Sequence, residues 1–258
     1  MSARSLVFDV SDTIRAWGRL VRTPTGDWFD PPLPVALAGG GGSRPVPAPS
    51  PYAIPVDGAD LDAVASRVER DGVVEGRAGL VGQWLGDRIR VHHQSAERPE
   101  RPAAGWVVPP CAAPAGDWPR SPDEYPNSHV DLEDLEQTGA AVMVTVFRPG
   151  PRQSVLVVAA ADVAAVEERL RPRLLDGLCV VPSRCTRAHV EATQQHVLDV
   201  WQRWGVCGCG RTSDEQGQAV VTVDLVRVTD EIAGWVDAQL AGLVELEPWL
   251  LPAPDGGP

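Results

Sequence analysis

Two stretches of the chain share one pattern, and this pattern constrains the fold more than any other feature. Residues 152–182 and 218–248 each contain a β-branched strand, a helix behind an oxygen-bearing cap, a glycine turn and a second short strand. The caps are Asp162 and Thr229, whose side-chain oxygens can accept the first free backbone N–H groups of a helix. A helix and a strand precede each stretch. The sequence therefore predicts an α+β domain of two pseudo-repeated αββαβ units.

The longest predicted helix lies between these two stretches. It begins after the cap Thr186 and ends at Gly205, and its apolar residues recur at helical spacing. Trp201 and Trp204 fall on the apolar side of this helix. We therefore expect Trp201 in the core, where the loss of such a side chain costs about 3 to 5 kcal/mol.

The N-terminal part of the chain, residues 1–95, has the patterns of strands. The predicted strands lie at 6–10, 16–23, 73–84 and 88–93. Glycines within the third of these strands indicate strong bending or a close backbone approach. A helix capped by Asp60, with Leu61, Val64 and Val68 on its inward side, is also predicted. We interpret this part as a small β-barrel-like module of the OB or SH3 kind.

Proline is concentrated in two segments that divide the chain. Sixteen of the 25 prolines lie within residues 31–55 and 99–126. Such segments are typical of linkers and long surface loops. The second segment also carries several aromatic residues, so we expect part of it to lie against a domain surface. The predicted division is a β-rich module at 1–95 with a Pro/Gly-rich loop at 31–55, a linker at 96–128, an α+β domain at 129–252 and a disordered tail at 253–258.

The charge of the chain is strongly acidic. There are 35 acidic and 23 basic residues, all of the basic ones are arginine, and the net charge is −12. This charge repels phosphate backbones and anionic lipid headgroups, so nucleic-acid and membrane partners are disfavoured. A local patch of arginine could override the repulsion, but the sequence has no run of basic residues. The expected partner is therefore another protein with a basic surface.

The cysteine pattern and the N-terminal residues point to one compartment. The five cysteines are odd in number and irregularly spaced, which favours reduced thiols. Residues 6–10 are too short and too acidic for a signal peptide, and no apolar run is long enough to span a membrane. We therefore expect a cytoplasmic protein.

Cys207 and Cys209 form the most specific chemical pattern in the chain. Alternate residues on a strand start nearly 7 Å apart at about 3.3 Å per residue. Thiolates that share a zinc ion at about 2.3 Å each must come closer than that. The favoured interpretation is two small buried thiols without a cofactor. A metal site of Cys185, His189, Cys207 and Cys209 is the alternative.

Other polar residues give weaker signals. Asp224 interrupts an apolar strand and is expected to face solvent or to pair with an arginine, although a catalytic carboxylate is the alternative. The chain has no nucleophile elbow, phosphate-binding glycine loop or dinucleotide fingerprint. These observations leave the assignment as an enzyme open.

The sequence favours one function and leaves two others open. We expect a non-catalytic, acidic binding or adaptor protein that recognises another protein. The alternative is a Cys/His-dependent enzyme, with or without a metal, whose site lies between the two C-terminal repeats. A third possibility is single-strand binding by the β module, which requires exposed aromatic side chains beside an arginine groove.

Overall fold

The structure is a computed structural model, and it describes residues 2–32, 49–98, 107–119 and 129–254. The predicted mixed α+β class is confirmed, and strands outweigh helices in the described residues. Met1, most of the Pro/Gly-rich loop, residues 99–106 and 120–128 of the linker and the last four residues lie outside this description. No helix of the described residues is long and apolar enough to cross a membrane.

Seven strands form the N-terminal sheet. Six come from the first part of the chain and one from its end: β1 Thr13–Thr23, β2 Gly26–Asp30, β3 Ile54–Asp57, β4 Ala65–Arg70, β5 Val73–Trp84, β6 Ile89–Ser95 and β13 Leu251–Pro252. Their order is β13-β1-β2-β3-β6-β5-β4, and β1 also pairs with β5. The β1–β5 ladder has ten residue pairs, but β2–β3 and β3–β6 have two each. The sheet is therefore curved and is not a clean barrel.

Glycine allows the strands of this sheet to approach closely. A Cβ atom on Gly18 would lie 2.3 Å from the carbonyl oxygen of Asp30, and one on Gly82 would lie 2.3 Å from that of Arg90. A Cβ atom on Gly76 would lie 2.2 Å from Cγ2 of Val64. The close backbone approach predicted for the glycines of 73–84 is found at Gly82, whereas the atom nearest to Gly76 belongs to a side chain. The inward side chains that fill the curve include Phe29, Leu20, Leu80 and Ile89.

Two of the predicted N-terminal elements are wrong. Residues 6–10 do not form a strand, because Ala3–Leu6 is a 3-10 turn and only Val7 makes a bridge, to Val228. The helix behind Asp60 is replaced by a turn, in which its Oδ1 accepts from the Asp62 N–H at 2.8 Å, and β4 follows directly. The Gln94 amide donates to two carbonyl oxygens of this turn. Pairing with distant strands therefore overrides the local helical pattern.

The C-terminal part contains two successive sets of elements. The first set is α1 His129–Gln137, β7 Ala141–Phe147, β8 Val155–Ala160, α2 Val163–Leu174 and β9 Leu178–Pro182. The second set is α3 Arg187–Asp199, α4 Trp201–Trp204, β10 Val206–Ser213, β11 Ala219–Leu225, α5 Asp230–Asp237 and β12 Val244–Pro248. In each set the first two strands are antiparallel and the last two are parallel. The caps Asp162, Thr186 and Thr229 are confirmed.

Each C-terminal sheet packs its helices on one side. The core of the first sheet includes Val158 and Leu170, and that of the second includes Val197, Val223 and Trp204. The predicted long helix is broken at Val200, whose backbone leaves the helical region, so α3 and α4 are separate. After the break, Trp201 packs at the edge of this core and is not fully buried in it. Its ring is half-buried, and its Nε1–H donates to the Tyr52 hydroxyl at 2.8 Å.

The segment 107–119 lies on the other side of the first C-terminal sheet. Trp118 is buried there against Phe147, Val155 and Val157, so the expectation that part of the linker packs on a domain is confirmed for these residues. The Gln153 amide donates to the Trp118 carbonyl oxygen at 2.9 Å. We call this segment the strap. It shields an apolar sheet face that would otherwise be exposed.

A disulfide between Cys111 and Cys179 fixes the strap to β9. The expectation of five reduced thiols is therefore wrong for these two residues, whose Cα atoms are 5.7 Å apart. Sequence spacing could not reveal this pair, because the two residues are 68 positions apart and meet only when the strap crosses the sheet. Cys185, Cys207 and Cys209 remain free thiols.

The N-terminal and C-terminal parts of the chain are in contact. Leu250 is fully buried in the N-terminal core, and Trp249 packs on Phe29 with a ring-centroid distance of 5.0 Å. The N-terminal residue Leu6, in turn, belongs to the core around α5. The Arg227 guanidinium lies over the Trp84 ring. Both chain ends therefore cross between the two parts.

Candidate functional site

The predicted thiol pair lies on β10, which is the strand of the second C-terminal sheet that borders the first set of elements. Cys207 is buried, and its thiol donates to the Gly205 carbonyl oxygen at 3.7 Å. Burial raises the pKa of Cys207 to about 12, and the nearby Asp224 carboxylate adds to this effect. Burial and the same carboxylate also raise the pKa of Cys209, against a lowering hydrogen bond from Gln194. Both groups are therefore neutral near pH 7 and poor nucleophiles.

Cys185 and His189 have local structural roles. The Ser183 hydroxyl donates to the Cys185 carbonyl oxygen at 2.8 Å just before α3. His189 occupies the third position of α3, where its backbone N–H donates to the Thr186 hydroxyl and its Nδ1 faces the Thr186 N–H. Across the described ranges, no group of three or more His, Cys, Asp or Glu residues is placed to hold a metal ion. The four candidate residues are therefore not brought together as one centre.

An open groove of about 460 Å³ runs between α3 and α5. His196 stacks on Trp235 with a ring-centroid distance of 5.1 Å and meets the edge of Trp204 at 5.4 Å. His189 and the exposed Leu240 lie along the same groove. These contacts account for His196 as a packing residue at the border of the core. They offer no pair of groups that could transfer a proton or bind a metal together.

The two C-terminal sheets differ on the side that faces away from their helices. On the first sheet this side is apolar, includes Val157, Cys179 and Val181, and lies under the strap. On the second sheet the same side carries glycines, a threonine and carboxylates. We call this surface the open face, and its residues are Gly208, Gly210, Thr222, Asp224, Glu245 and Glu247.

Strand register sets the geometry of the open face. Asp224 lies between Gly208 on β10 and Glu247 on β12, and Glu245 lies one row away beside Thr222. A Cβ atom on Gly208 would lie 2.3 Å from Oδ2 of Asp224, so the carboxylate occupies the space that the glycine leaves. Both glutamates are exposed. The face is thus a shallow acidic surface with a glycine floor.

Asp224 is the residue of this face that the sequence singled out. Within the part of the chain that the structure describes, its side chain makes no ion pair or hydrogen bond. Of the two expected arrangements, pairing with an arginine is not found, and the side chain is partly exposed to solvent. The neighbouring glutamates were not recognised, although 245 and 247 alternate with apolar residues on a short strand. No family model, curated protein or solved structure matches the chain.

Proposed function

We propose that the protein is a non-catalytic binding or adaptor protein, and that the open face holds a basic segment of another protein. The observation that carries this proposal is the half-buried Asp224 carboxylate, which lacks a partner among the described residues and is flanked by two exposed glutamates. An incoming guanidinium or ammonium group would supply the missing hydrogen-bond donor. Charge-assisted hydrogen bonds of this kind are stronger than neutral ones.

The first C-terminal sheet supports the proposal by analogy within the molecule. There the corresponding side of the sheet accommodates the extended strap, with Trp118 and Cys111 packed on it. The side of such a sheet is therefore wide enough for an extended chain segment. On the open face of the second sheet, polar residues stand in place of these apolar ones. No apolar segment such as the strap is therefore needed to shield it from water. A polar and reversible occupant suits this surface better.

The net charge of −12 supports the same kind of partner. Carboxylates at a protein surface attract a basic partner over distances of about a Debye length and raise the association rate. Exposed charges affect association rate and specificity more than affinity. We therefore expect binding that weakens steeply with salt.

The proposal includes an organisation of the chain. We propose that the two C-terminal sets of elements are structural repeats, because they share element order and strand sense. We also propose the division into a barrel-like module at 1–95, a linker at 96–128 and a domain at 129–252. The ring of pairings β1-β2-β3-β6-β5 supports the barrel-like description. The cytoplasmic location remains part of the proposal, and the disulfide counts against it because disulfides persist mainly in oxidising compartments.

Affinity capture with matched variants tests the proposed function. The open-face variant carries Asp224→Asn, Glu245→Gln and Glu247→Gln. The control carries Asp176→Asn, Glu168→Gln and Glu215→Gln, which remove the same charge at exposed positions elsewhere. We expect a protein that the natural chain and the control capture from source lysate at low salt, and that the open-face variant loses. Equal capture by all three chains would refute the open face as the binding surface.

Thiol reactivity separates this proposal from the enzyme alternative. The raised pKa of Cys207 and Cys209 supports slow alkylation near pH 7 that becomes fast only after unfolding. A thiol of the folded protein that alkylates faster than a free cysteine would favour the Cys/His-dependent enzyme.

A further inference from the structure

The outward surface of β1, β5 and β6 gathers basic and aromatic side chains from three separate strands. Alternate residues of these strands point away from the curved core, and several of the outward residues are basic. We call this surface the arginine face, and its residues are Arg15, Trp17, Arg77, Arg90 and His93. It lies on the N-terminal sheet and shares no residue with the open face.

Cross-strand register places these residues on one side of the sheet. Arg15 lies opposite Val81, and Val81 lies opposite His93 in the next strand. Arg90 is opposite Gln83, six residues along β5 from Arg77. At about 3.3 Å per residue, the face extends for about 20 Å along the strand. The basic side chains thus form a stripe that a linear ligand could follow.

The arginines of this stripe make no ion pair within the described residues, and the carboxylate beside Arg90 in the sheet, that of Asp57, pairs with Arg88. Arg15, Arg77 and Arg90 are exposed and have no carboxylate partner in the described ranges of the chain. Arg19, on the same side of β1, is by contrast held at 2.7 and 2.9 Å by two carboxylates. In a chain with an excess of acidic residues, three arginines without such partners on one side of the sheet leave a stripe of positive charge.

Trp17 lies within this stripe. The residue opposite it is Gly79, and a Cβ atom there would lie 3.4 Å from Cε3 of the indole. The ring therefore lies over a position without a side chain, and Trp17 is only half-buried. An accessible indole between arginines offers a stacking surface next to groups that bind phosphate.

We propose that the arginine face binds an extended single strand of nucleic acid. Arg15, Arg77 and Arg90 contact phosphates spaced along the strand, and a base stacks on Trp17. The net charge of −12 slows the approach of such a ligand but does not prevent contact, because charges more than about 8 Å away are largely screened at physiological salt. The combination of flat stacking surface and phosphate-binding groups favours nucleic acid over an acidic protein, which offers no bases.

Fluorescence anisotropy with labelled dT and rU homopolymers tests this inference on the full chain. We expect binding that weakens between about 50 and about 200 mM salt. Arg15→Gln, Arg77→Gln and Arg90→Gln together should weaken it at least tenfold and reduce the slope of log affinity against log salt by about 2, since each single-strand phosphate contributes about 0.7. Trp17→Leu should weaken binding by between about fivefold and a hundredfold, and Trp17→Phe should largely restore it.

A control variant loses the same number of positive charges, but on the C-terminal part of the chain. Arg148→Gln, Arg152→Gln and Arg211→Gln change three exposed arginines that also lack carboxylate partners among the described residues, and binding should stay within about twofold. A stronger affinity for dT than for rU, or the reverse, would identify the natural strand as DNA or RNA, and either supports the proposal. Absence of binding to both, equal losses in the control, or equally strong competition by polyglutamate would overturn it.

Discussion

At the scale of single residues, the buried carboxylate of Asp30 is the most constrained charge in the N-terminal sheet. It is 1% exposed, accepts from the Arg19 guanidinium at 2.7 Å, and accepts from both the backbone N–H and the hydroxyl of Ser50. It therefore joins the end of β2 to Ser50 within the Pro/Gly-rich segment. The sequence places an aspartate here but does not reveal its burial.

Asp30→Asn should lower the free energy of unfolding by about 1.5 to 3 kcal/mol, because hydrogen bonds to a charged group are lost at a buried site. The control is Asp27→Asn, which breaks the more exposed ion pair with Arg22 and should cost less than about 1 kcal/mol. Urea unfolding measures both values. Equal effects of the two variants would show that the Asp30 network does not stabilise the sheet.

Cys207 should make stability depend on alkaline pH. Burial raises its pKa from 9.0 to about 12 in the folded protein, so the unfolded thiol ionises first. Its contribution is present below pH 9 and is lost as the pH rises towards 12. Between pH 8 and pH 10 the stability advantage of the natural chain over Cys207→Ala should fall by about 1 to 2 kcal/mol. A difference that stays constant in urea melts across this range would contradict the burial of the thiol.

At the scale of elements, the break between α3 and α4 separates two tryptophans that sequence periodicity treats alike. Trp204 is 6% exposed, and its Nε1–H donates to Glu231 at 3.0 Å. Trp204→Ala should therefore cost about 3 to 5 kcal/mol. Trp201→Ala should cost roughly 1 to 2 kcal/mol, because its half-buried ring loses less apolar contact. If urea melts show that Trp201→Ala lowers the free energy of unfolding more than Trp204→Ala does, the break between α3 and α4 would be contradicted.

The strap gives a second prediction at this scale. Chain entropy over the 68 residues between Cys111 and Cys179 predicts a stabilisation of about 4 kcal/mol by the disulfide. A reductant should lower the urea midpoint of the natural chain and leave that of a Cys111→Ala/Cys179→Ala variant unchanged, since the other three cysteines are free. If the reductant does not shift the urea midpoint of the natural chain, the disulfide is absent from the purified protein.

The elements that could be predicted are those that local pattern determines. Three helix caps and most strands of the C-terminal part follow from side-chain oxygens, glycine turns and β-branched runs. The missed features depend on distant partners. The segment after Asp60 forms a turn and a strand because Gln94 hydrogen-bonds to the turn and β5 pairs with the strand. β13 forms only by pairing with β1. Cys111 reaches Cys179 only when the strap lies across the folded sheet.

The same reason explains what was missed at the candidate sites. Asp224 stood out because it interrupts an apolar strand, but its row with Glu247 requires the register of β11 and β12. Arg15, Arg77 and Arg90 belong to three strands, so no run of basic residues exists in the sequence. Alternation within each strand predicted which side of a strand is outward. It could not predict which strands become neighbours.

At the scale of the whole molecule, two surfaces of opposite charge lie on different sheets. The acidic open face belongs to the second C-terminal sheet, and the arginine face belongs to the N-terminal sheet. Contacts through Trp249, Leu250 and Leu6 join the two parts, so both surfaces are carried by one connected body. Among the described residues, Cys111 and Cys179 form a disulfide, Cys207 is buried, His196 packs on Trp235, and His189 lies in the first turn of α3. We infer that the molecule works by presenting surfaces.

Zero-length cross-linking with a carbodiimide tests this central inference most directly. The reagent joins carboxylates to primary amines, and the chain contains no lysine. Apart from links to its own N-terminal amine, every link from its carboxylates must therefore reach a lysine or the N-terminal amine of the bound partner. Mass spectrometry of the captured complex should find these links at Asp224, Glu245 or Glu247. Links confined to other carboxylates, with these three unmodified by the partner, would contradict the open face as the binding surface.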